Sequence, residues 1–218
     1  VLNHIGNRLN VQTNTILRDV SAINGFLDFV IRKGYTAYKI PPKSLPKESN
    51  LAKFLDTSVP NKEEQLLLQE YAGYTLIPST KFHKALVVEG EGFNGKSVFI
   101  NLIAAMHKRS HVSMSLDKLD GFKLYPIANA SLVICSEAPK KNINENFFKK
   151  AVTGDSIEIE KKFGDTITMK PTAKWVIACN TFPLIDDKTD GVFRRLLVMR
   201  WNVQVKKEDV IRDLDKLI

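Results

Sequence analysis

The sequence predicts an α/β fold, a mostly parallel five-stranded sheet with a β-hairpin insertion, preceded by a small helical region. Three observations predict it. From Lys84 onward, short apolar runs alternate with helix-patterned stretches, as they do when parallel strands are joined by helical crossovers. One such run, Ala85-Leu86-Val87-Val88, leads into a glycine-rich loop and then into a helical pattern from Val98 to Met106. Ahead of Lys84 the apolar positions recur instead at helical spacing.

Residues 1 to 36 carry an apolar stripe at Ile16, Leu17, Val20, Ile23, Leu27, Val30 and Ile31, and are expected to form helices packed on one another. Pro41, Pro42 and Pro46 then preclude regular helix and predict an extended linker near 39–46. Helix is expected again from Asn50 to Leu55 and from Asn61 through Tyr71, where Asn61 suits the N-cap and Glu63 and Glu64 suit the positive first turn. Beyond the glycine loop, strands are expected at Val112 to Met114, Ser131 to Cys135, Lys174 to Cys179 and Leu196 to Met199. Ile157, Ile159, Ile167 and Met169 alternate on either side of Lys161-Lys162-Phe163-Gly164-Asp165, the pattern of a hairpin with Gly-Asp at its turn. The chain thus divides into a helical region at 1–78, a sheet core at 79–203 and the start of a C-terminal helical extension at 204–218.

A chain of 218 residues with 44% hydrophobic content can bury one full core and a small satellite. No apolar run approaches the roughly 20 residues that a membrane-spanning helix needs, and Val1 to Gly6 lack the charged-then-apolar order of a signal peptide. These features predict no membrane partner and a cytoplasm-like compartment. The missing initiator methionine and the charged helical pattern from Asp209 to Ile218 predict a piece of a longer protein. A formal charge of +8 favours a polyanionic partner. Cys135 and Cys179 each lie inside an apolar run without a CxxC neighbour and read as buried reduced thiols, and His4, His83, His107 and His111 show no metal-ligand spacing.

The loop Gly90-Glu91-Gly92-Phe93-Asn94-Gly95-Lys96-Ser97 has two glycines followed by Lys-Ser in the P-loop spacing. In that pattern Gly-rich backbone turns its N–H groups around phosphates, the lysine reaches the β/γ oxygens and the serine hydroxyl ligands magnesium, so ATP and Mg2+ are the expected ligands. An acid is then needed at the end of a neighbouring strand to hold the metal and polarise water. Ser131-Leu132-Val133-Ile134-Cys135-Ser136-Glu137 supplies Glu137 there. Asn180 ends the next strand, where its amide can orient water against the γ-phosphate. Arg194 and Arg195 precede the last strand, and guanidinium forks suit transition-state phosphate charge.

Together with Thr153-Gly154-Asp155, Lys170-Pro171-Thr172-Ala173-Lys174, Cys179-Asn180-Thr181-Phe182-Pro183 and Gly191-Val192-Phe193-Arg194-Arg195-Leu196, these motifs resemble the superfamily 3 helicase domain over residues 60 to 201, most nearly that of phage, plasmid and poxvirus primase-helicases. The resemblance implies an AAA+-type ATPase that assembles as a ring, usually a hexamer, and moves 3′ to 5′ on single-stranded DNA. In a phage it would work in the host cytoplasm, with a primase or polymerase domain on the same longer chain. It assigns Lys96 and Ser97 to nucleotide and magnesium, Glu137 to the Walker B role, Asn180 to the sensor, and Arg194 or, preferably, Arg195 to the finger. The resemblance also implies that Lys161, Lys162 and Phe163 fall at the DNA-gripping tip of a channel hairpin, two cations for phosphate and an aromatic for a base. Where many members carry two acids, Ser136 precedes Glu137 here, which leaves water activation to Glu137 alone or recruits Asp155. The alternative is an ATP-switched DNA-binding or loading protein with little turnover.

Overall fold

The computed structural model describes residues 49–92, 94–119, 121–136, 143–162, 164–181, 185–186, 190–205, 210–211 and 213–217. The helices expected over residues 1 to 36 and the linker near 39–46 lie outside them. The chain groups into two compact units: the described parts of Val1–Ile77, Phe93–Lys108 and Asn202–Ile218 form one, and those of Pro78–Gly92 and Arg109–Trp201 the other.

The second unit holds the sheet. Its strands are β1 (Ala85–Glu89), β2 (His111–Ser113), β3 (Leu132–Cys135), β6 (Lys174–Cys179) and β7 (Leu196–Arg200), in the order β2-β3-β6-β1-β7. Every pairing in it is parallel. All four residues of β3 and all six of β6 are buried, as strands covered on both faces must be, which is why β3 and β6 after Lys174 read as unbroken apolar runs. β2 starts one residue ahead of the run expected at Val112, at the edge of the sheet, where partial burial gives a weaker pattern. The expected α/β class and five-stranded sheet are borne out. From β1 the chain moves to the far edge at β2, returns through β3 and β6, and then passes beyond β1 to β7, so the winding reverses at β1. Ligands of such sheets bind at the carboxyl ends of the strands where the winding reverses.

The hairpin is a separate antiparallel pair, β4 (Ile157–Ile159) and β5 (Ile167–Met169), with Ile157 opposite Met169 and Ile159 opposite Ile167. Ile157 and Ile159 point into the core while Glu158 is exposed. A helix whose limits the sequence does not mark, α4 (Glu145–Thr153), leads into it. Its Phe148 is fully buried edge-on against Trp175, ring centroids 5.8 Å apart. Lys174 is also buried, and its ammonium donates to the Thr172 carbonyl at 2.6 Å, so the charge is satisfied inside the fold.

Thr153-Gly154-Asp155 acquires a physical reason. Gly154 terminates α4 in the left-handed region, φ 77° and ψ 23°, and its N–H donates to the Lys150 carbonyl. Thr153 Oγ1 donates to Asp155 Oδ2 at 2.6 Å, and Thr80 Oγ1 donates to the Thr153 carbonyl at 2.9 Å. A Cβ on Gly154 would overlap Thr80 Oγ1 and come within 3.3 Å of the Pro171 carbonyl oxygen. Gly154→Ala combines left-handed strain with that overlap and is expected to cost at least about 2 kcal/mol, measured by urea unfolding.

The other unit is helical. Ser49 accepts from the Ala52 N–H to start α1 (Asn50–Ser58), and Asn61 accepts from the Glu63 N–H to start α2 (Lys62–Thr75), the cap expected from sequence. The corner between them is closed by Asp56, which accepts from Lys62 and, at 2.9 Å, from Gln65 Nε2. The hydrogen bond from Lys62 is the main reason the Asp56 carboxyl is held below its ordinary pKa. α3 (Lys96–His107) ends with His107 Nε2 2.8 Å from Thr75 Oγ1, and Asn101 Nδ2 donates to Asp215 of α5 (Leu214–Leu217) at 2.8 Å. Among the described residues, no helix is long and apolar enough to cross a membrane.

Candidate nucleotide loop and hairpin

The glycine loop begins where β1 ends. Glu89 passes its carbonyl to the Trp201 N–H at 2.6 Å, and Gly90 N–H donates to the Cys179 carbonyl at 3.0 Å. The start of the loop is therefore fastened to the carboxyl end of β6. Gly90, Glu91 and Gly92 belong to the sheet unit, and Phe93 lies outside the described residues.

Asn94 to Ser97 belong to the helical unit. Gly95 occupies the N-cap of α3 at φ 88° and ψ 0°, and offers no side chain to cap the first-turn amides. A Cβ there would lie 2.8 Å from Phe54 Cε2 and 3.1 Å from Ser58 Oγ, so both backbone conformation and neighbours demand glycine. Lys96 opens the helix and is buried, as is Asn94, while Ser97 is exposed. A helix start with first-turn amides, a lysine and an accessible hydroxyl has the donor chemistry that an anion with a hard cation requires.

Along the carboxyl edge of the sheet, Ser136 follows β3 and Asn180 follows β6, and both are exposed. Glu137 and Phe182-Pro183 lie outside the described residues. Cys135 and Cys179 are buried, as expected, and burial pushes the Cys135 thiol up to about 12. Asp155 is exposed and bonded to Thr153 at the end of α4.

The two arginines fall at the opposite edge. Ala85 pairs with Leu196, so Arg194 and Arg195 stand beside the start of β1, and Lys84 Nζ donates to the Arg194 carbonyl at 2.5 Å. Five strand residues separate that edge from Gly90, about 16 Å at 3.3 Å per residue. Arg194 has an exposed side chain, whereas Arg195 is half-buried and its Nη1 donates to the Gly191 carbonyl.

Lys161 and Lys162 are exposed at the hairpin end, where Gly164 N–H donates to the Lys161 carbonyl at 3.0 Å, and Phe163 lies outside the described residues. Sequence reasoning missed their neighbour. A 3-10 segment, Gly121–Asn129, places the exposed Tyr125 ring under the Lys161 ammonium, 5.8 Å from nitrogen to centroid. The signal was the alternation of cation and aromatic in Lys123-Leu124-Tyr125, hidden by Pro126 inside the segment.

A parallel sheet wound about β1, a glycine loop entering a helix and a side hairpin define an α/β fold that is shared with solved structures. The apo structure of the NrS-1 C-terminal region matches 77% of this chain and 41% of its own, with a TM-score of 0.59 and 18% identity. JCV helicase matches 93% of this chain and 57% of its own, with a TM-score of 0.51 and 11% identity. Among curated proteins, the chain is similar to an ATP-dependent DNA helicase of Orgyia pseudotsugata multicapsid polyhedrosis virus, 26% identical over 146 residues, and to a DNA replication helicase of Autographa californica nuclear polyhedrosis virus, 28% identical over 148 residues. These alignments cover 64% and 65% of the chain, which spans 12% of the length of either relative. Residues 88–195 match a family of unknown function, DUF5906. The resemblance to helicases carried by the motifs is thus borne out in sequence by its similarity to viral DNA replication helicases, and the α/β fold is one it shares with JCV helicase.

Proposed function

We propose that this chain is the ATPase motor of a replicative DNA helicase that moves along single-stranded DNA as a ring, within a longer protein that also carries a priming domain. The observation that carries the reading is the loop from Gly90 to Ser97, which leaves β1 where the winding reverses and enters α3 through a left-handed glycine. The relatives' names, a replication helicase and an ATP-dependent one, agree with it.

In this reading the loop amides and Lys96 hold the β- and γ-phosphates, and Ser97, with Glu137, would hold magnesium, which when bound neutralises charge on the phosphates. Glu137 draws the proton from the attacking water and Asn180 orients that water. The finger comes from the neighbouring protomer. Support for that lies in the strand length between Gly90 and the arginine pair, and we assign the finger to Arg194, because Arg195 is already bonded to Gly191. Lys161 and Lys162 take the DNA phosphates and Phe163 stacks on a base.

ATP hydrolysis measured against protein concentration, with and without single-stranded DNA, tests the reading. Turnover per chain is expected to rise steeply with concentration and to be stimulated by DNA. Replacing Lys161 and Lys162 together by alanine is expected to abolish the stimulation and to flatten the salt dependence of DNA binding by about 1.4 in log–log slope, at about 0.7 per lost phosphate contact. Slow turnover that ignores both concentration and DNA would favour the switch instead.

A further inference from the structure

We propose that Arg200 is a further nucleotide-binding residue, a cation for the α-phosphate of the ATP held by its own chain, a step that rests on the ATP-dependent reading above. Arg200 is the last residue of β7, and the parallel register sets it opposite Glu89, the last residue of β1. The glycine loop begins at the next residue, Gly90. Adjacent strands lie about 4.8 Å apart, so the arginine backbone stands one strand spacing from the start of that loop. It is also fixed there, because the buried Trp201 follows it and donates its N–H to the Glu89 carbonyl at 2.6 Å. The side chain, by contrast, is 76% exposed, with its Nε 3.8 Å from Glu89 Oε2, beyond hydrogen-bond reach. Val198, two residues earlier and so on the same face of the sheet, is half exposed where its neighbour Val87 is buried. The cover over β1 thus gives out at β7 and leaves the arginine room to swing.

An exposed guanidinium beside a carboxylate suits an edge to which a polyphosphate comes: Glu89 alone would repel the incoming charge, and Arg200 both offsets Glu89 and offers a fork of donors to phosphate oxygens. Strand order decides which phosphate it meets. The residues assigned to the attacking water, Asn180 and Glu137, come after β6 and β3 in the chain, and both strands lie on one side of β1. The γ-phosphate is drawn to that side. β7 lies on the other side of β1, so the cation at its carboxyl end meets the opposite end of the triphosphate, at the α-phosphate. β7 thus has at its amino end the arginine pair assigned to a neighbour's ATP and at its carboxyl end a cation for the ATP of its own chain.

The test uses the whole chain. Affinities for ADP and for a non-hydrolysable ATP analogue are measured by titration calorimetry, and ATP hydrolysis at steady state, in the wild type, Arg200→Ala, Arg200→Lys and Glu89→Gln. Arg200→Ala is expected to weaken both nucleotides by the same factor, about tenfold for one charge-assisted contact, and to raise KM by that factor while kcat stays within about threefold of wild type. Arg200→Lys keeps the charge and should bind both nucleotides within about threefold of wild type. Glu89→Gln breaks the ion pair, keeps the cation and should bind both at least as tightly as wild type. A merely structural role for the pair would make Glu89→Gln as weak as Arg200→Ala, and that result overturns the proposal. So does an Arg200→Ala protein with both affinities within about twofold of wild type, or one weakened for the ATP analogue alone, which would put the arginine at the γ-phosphate. A wild type that binds neither ADP nor the ATP analogue would instead sink the ATP-dependent reading, and this assignment with it.

Discussion

Turnover of ATP by Lys96→Ala is expected to fall by about 10²–10³-fold, the scale seen when one preorganised donor to developing charge is removed, or about 3–4 kcal/mol of transition-state stabilisation. Lys96 opens α3 next to a glycine that cannot cap it, and it is buried, so its ammonium is held in place and not left to sweep through solvent. Because burial also makes the side-chain stem part of the packing, Lys96→Met is the better variant: it preserves the volume and removes only the charge. Steady-state hydrolysis with circular dichroism as a control for folding checks the prediction. If Lys96→Met hydrolyses ATP at more than about a tenth of the wild-type rate, the lysine is not the phosphate ligand.

Arg194→Ala is expected to lower turnover by about 10³-fold or more, the range for a finger arginine, without weakening nucleotide binding by a comparable factor. The register that sets Ala85 opposite Leu196 leaves Arg194 a strand length from its own Gly90, the separation on which the proposed action on a neighbouring protomer rests. Mixing Arg194→Ala with Lys96→Met should then restore activity that neither has alone, because random assembly gives about a quarter of head-to-tail interfaces an intact lysine from one chain and an intact arginine from the other. No recovery on mixing would place both groups in one chain's site. Arg195→Ala should retain most of the concentration-dependent turnover, and the reverse outcome would move the finger to Arg195.

The sheet was legible because its strands are buried on both faces: Leu132 to Cys135 and Trp175 to Cys179 are continuous apolar runs of strand length. The hairpin announced itself through the alternation of Ile157 and Ile159 and the Gly164-Asp165 pair in the sequence between its strands. The limits of α4 escaped, since Glu145 to Thr153 is short and half polar, and so did the 3-10 segment, whose i to i+3 contacts leave no clear period and which contains Pro126. The residues of the candidate site were nameable from motif spacing, but their arrangement was not. That the arginine pair stands at the amino edge and Arg200 at the carboxyl edge follows only from strand register, a product of contacts far apart in sequence.

The fit of Phe54 against Gly95 decides where this chain can be cut. The sequence pattern suggests that everything before residue 79 is an attachment to the catalytic core, yet the side chain that forms the wall behind the loop's last glycine comes from α1, forty-one positions upstream. A fragment trimmed to the sheet would keep every residue of the glycine loop and lose the surface that shapes it. Its failure to bind nucleotide would then report on the trimming and not on the loop.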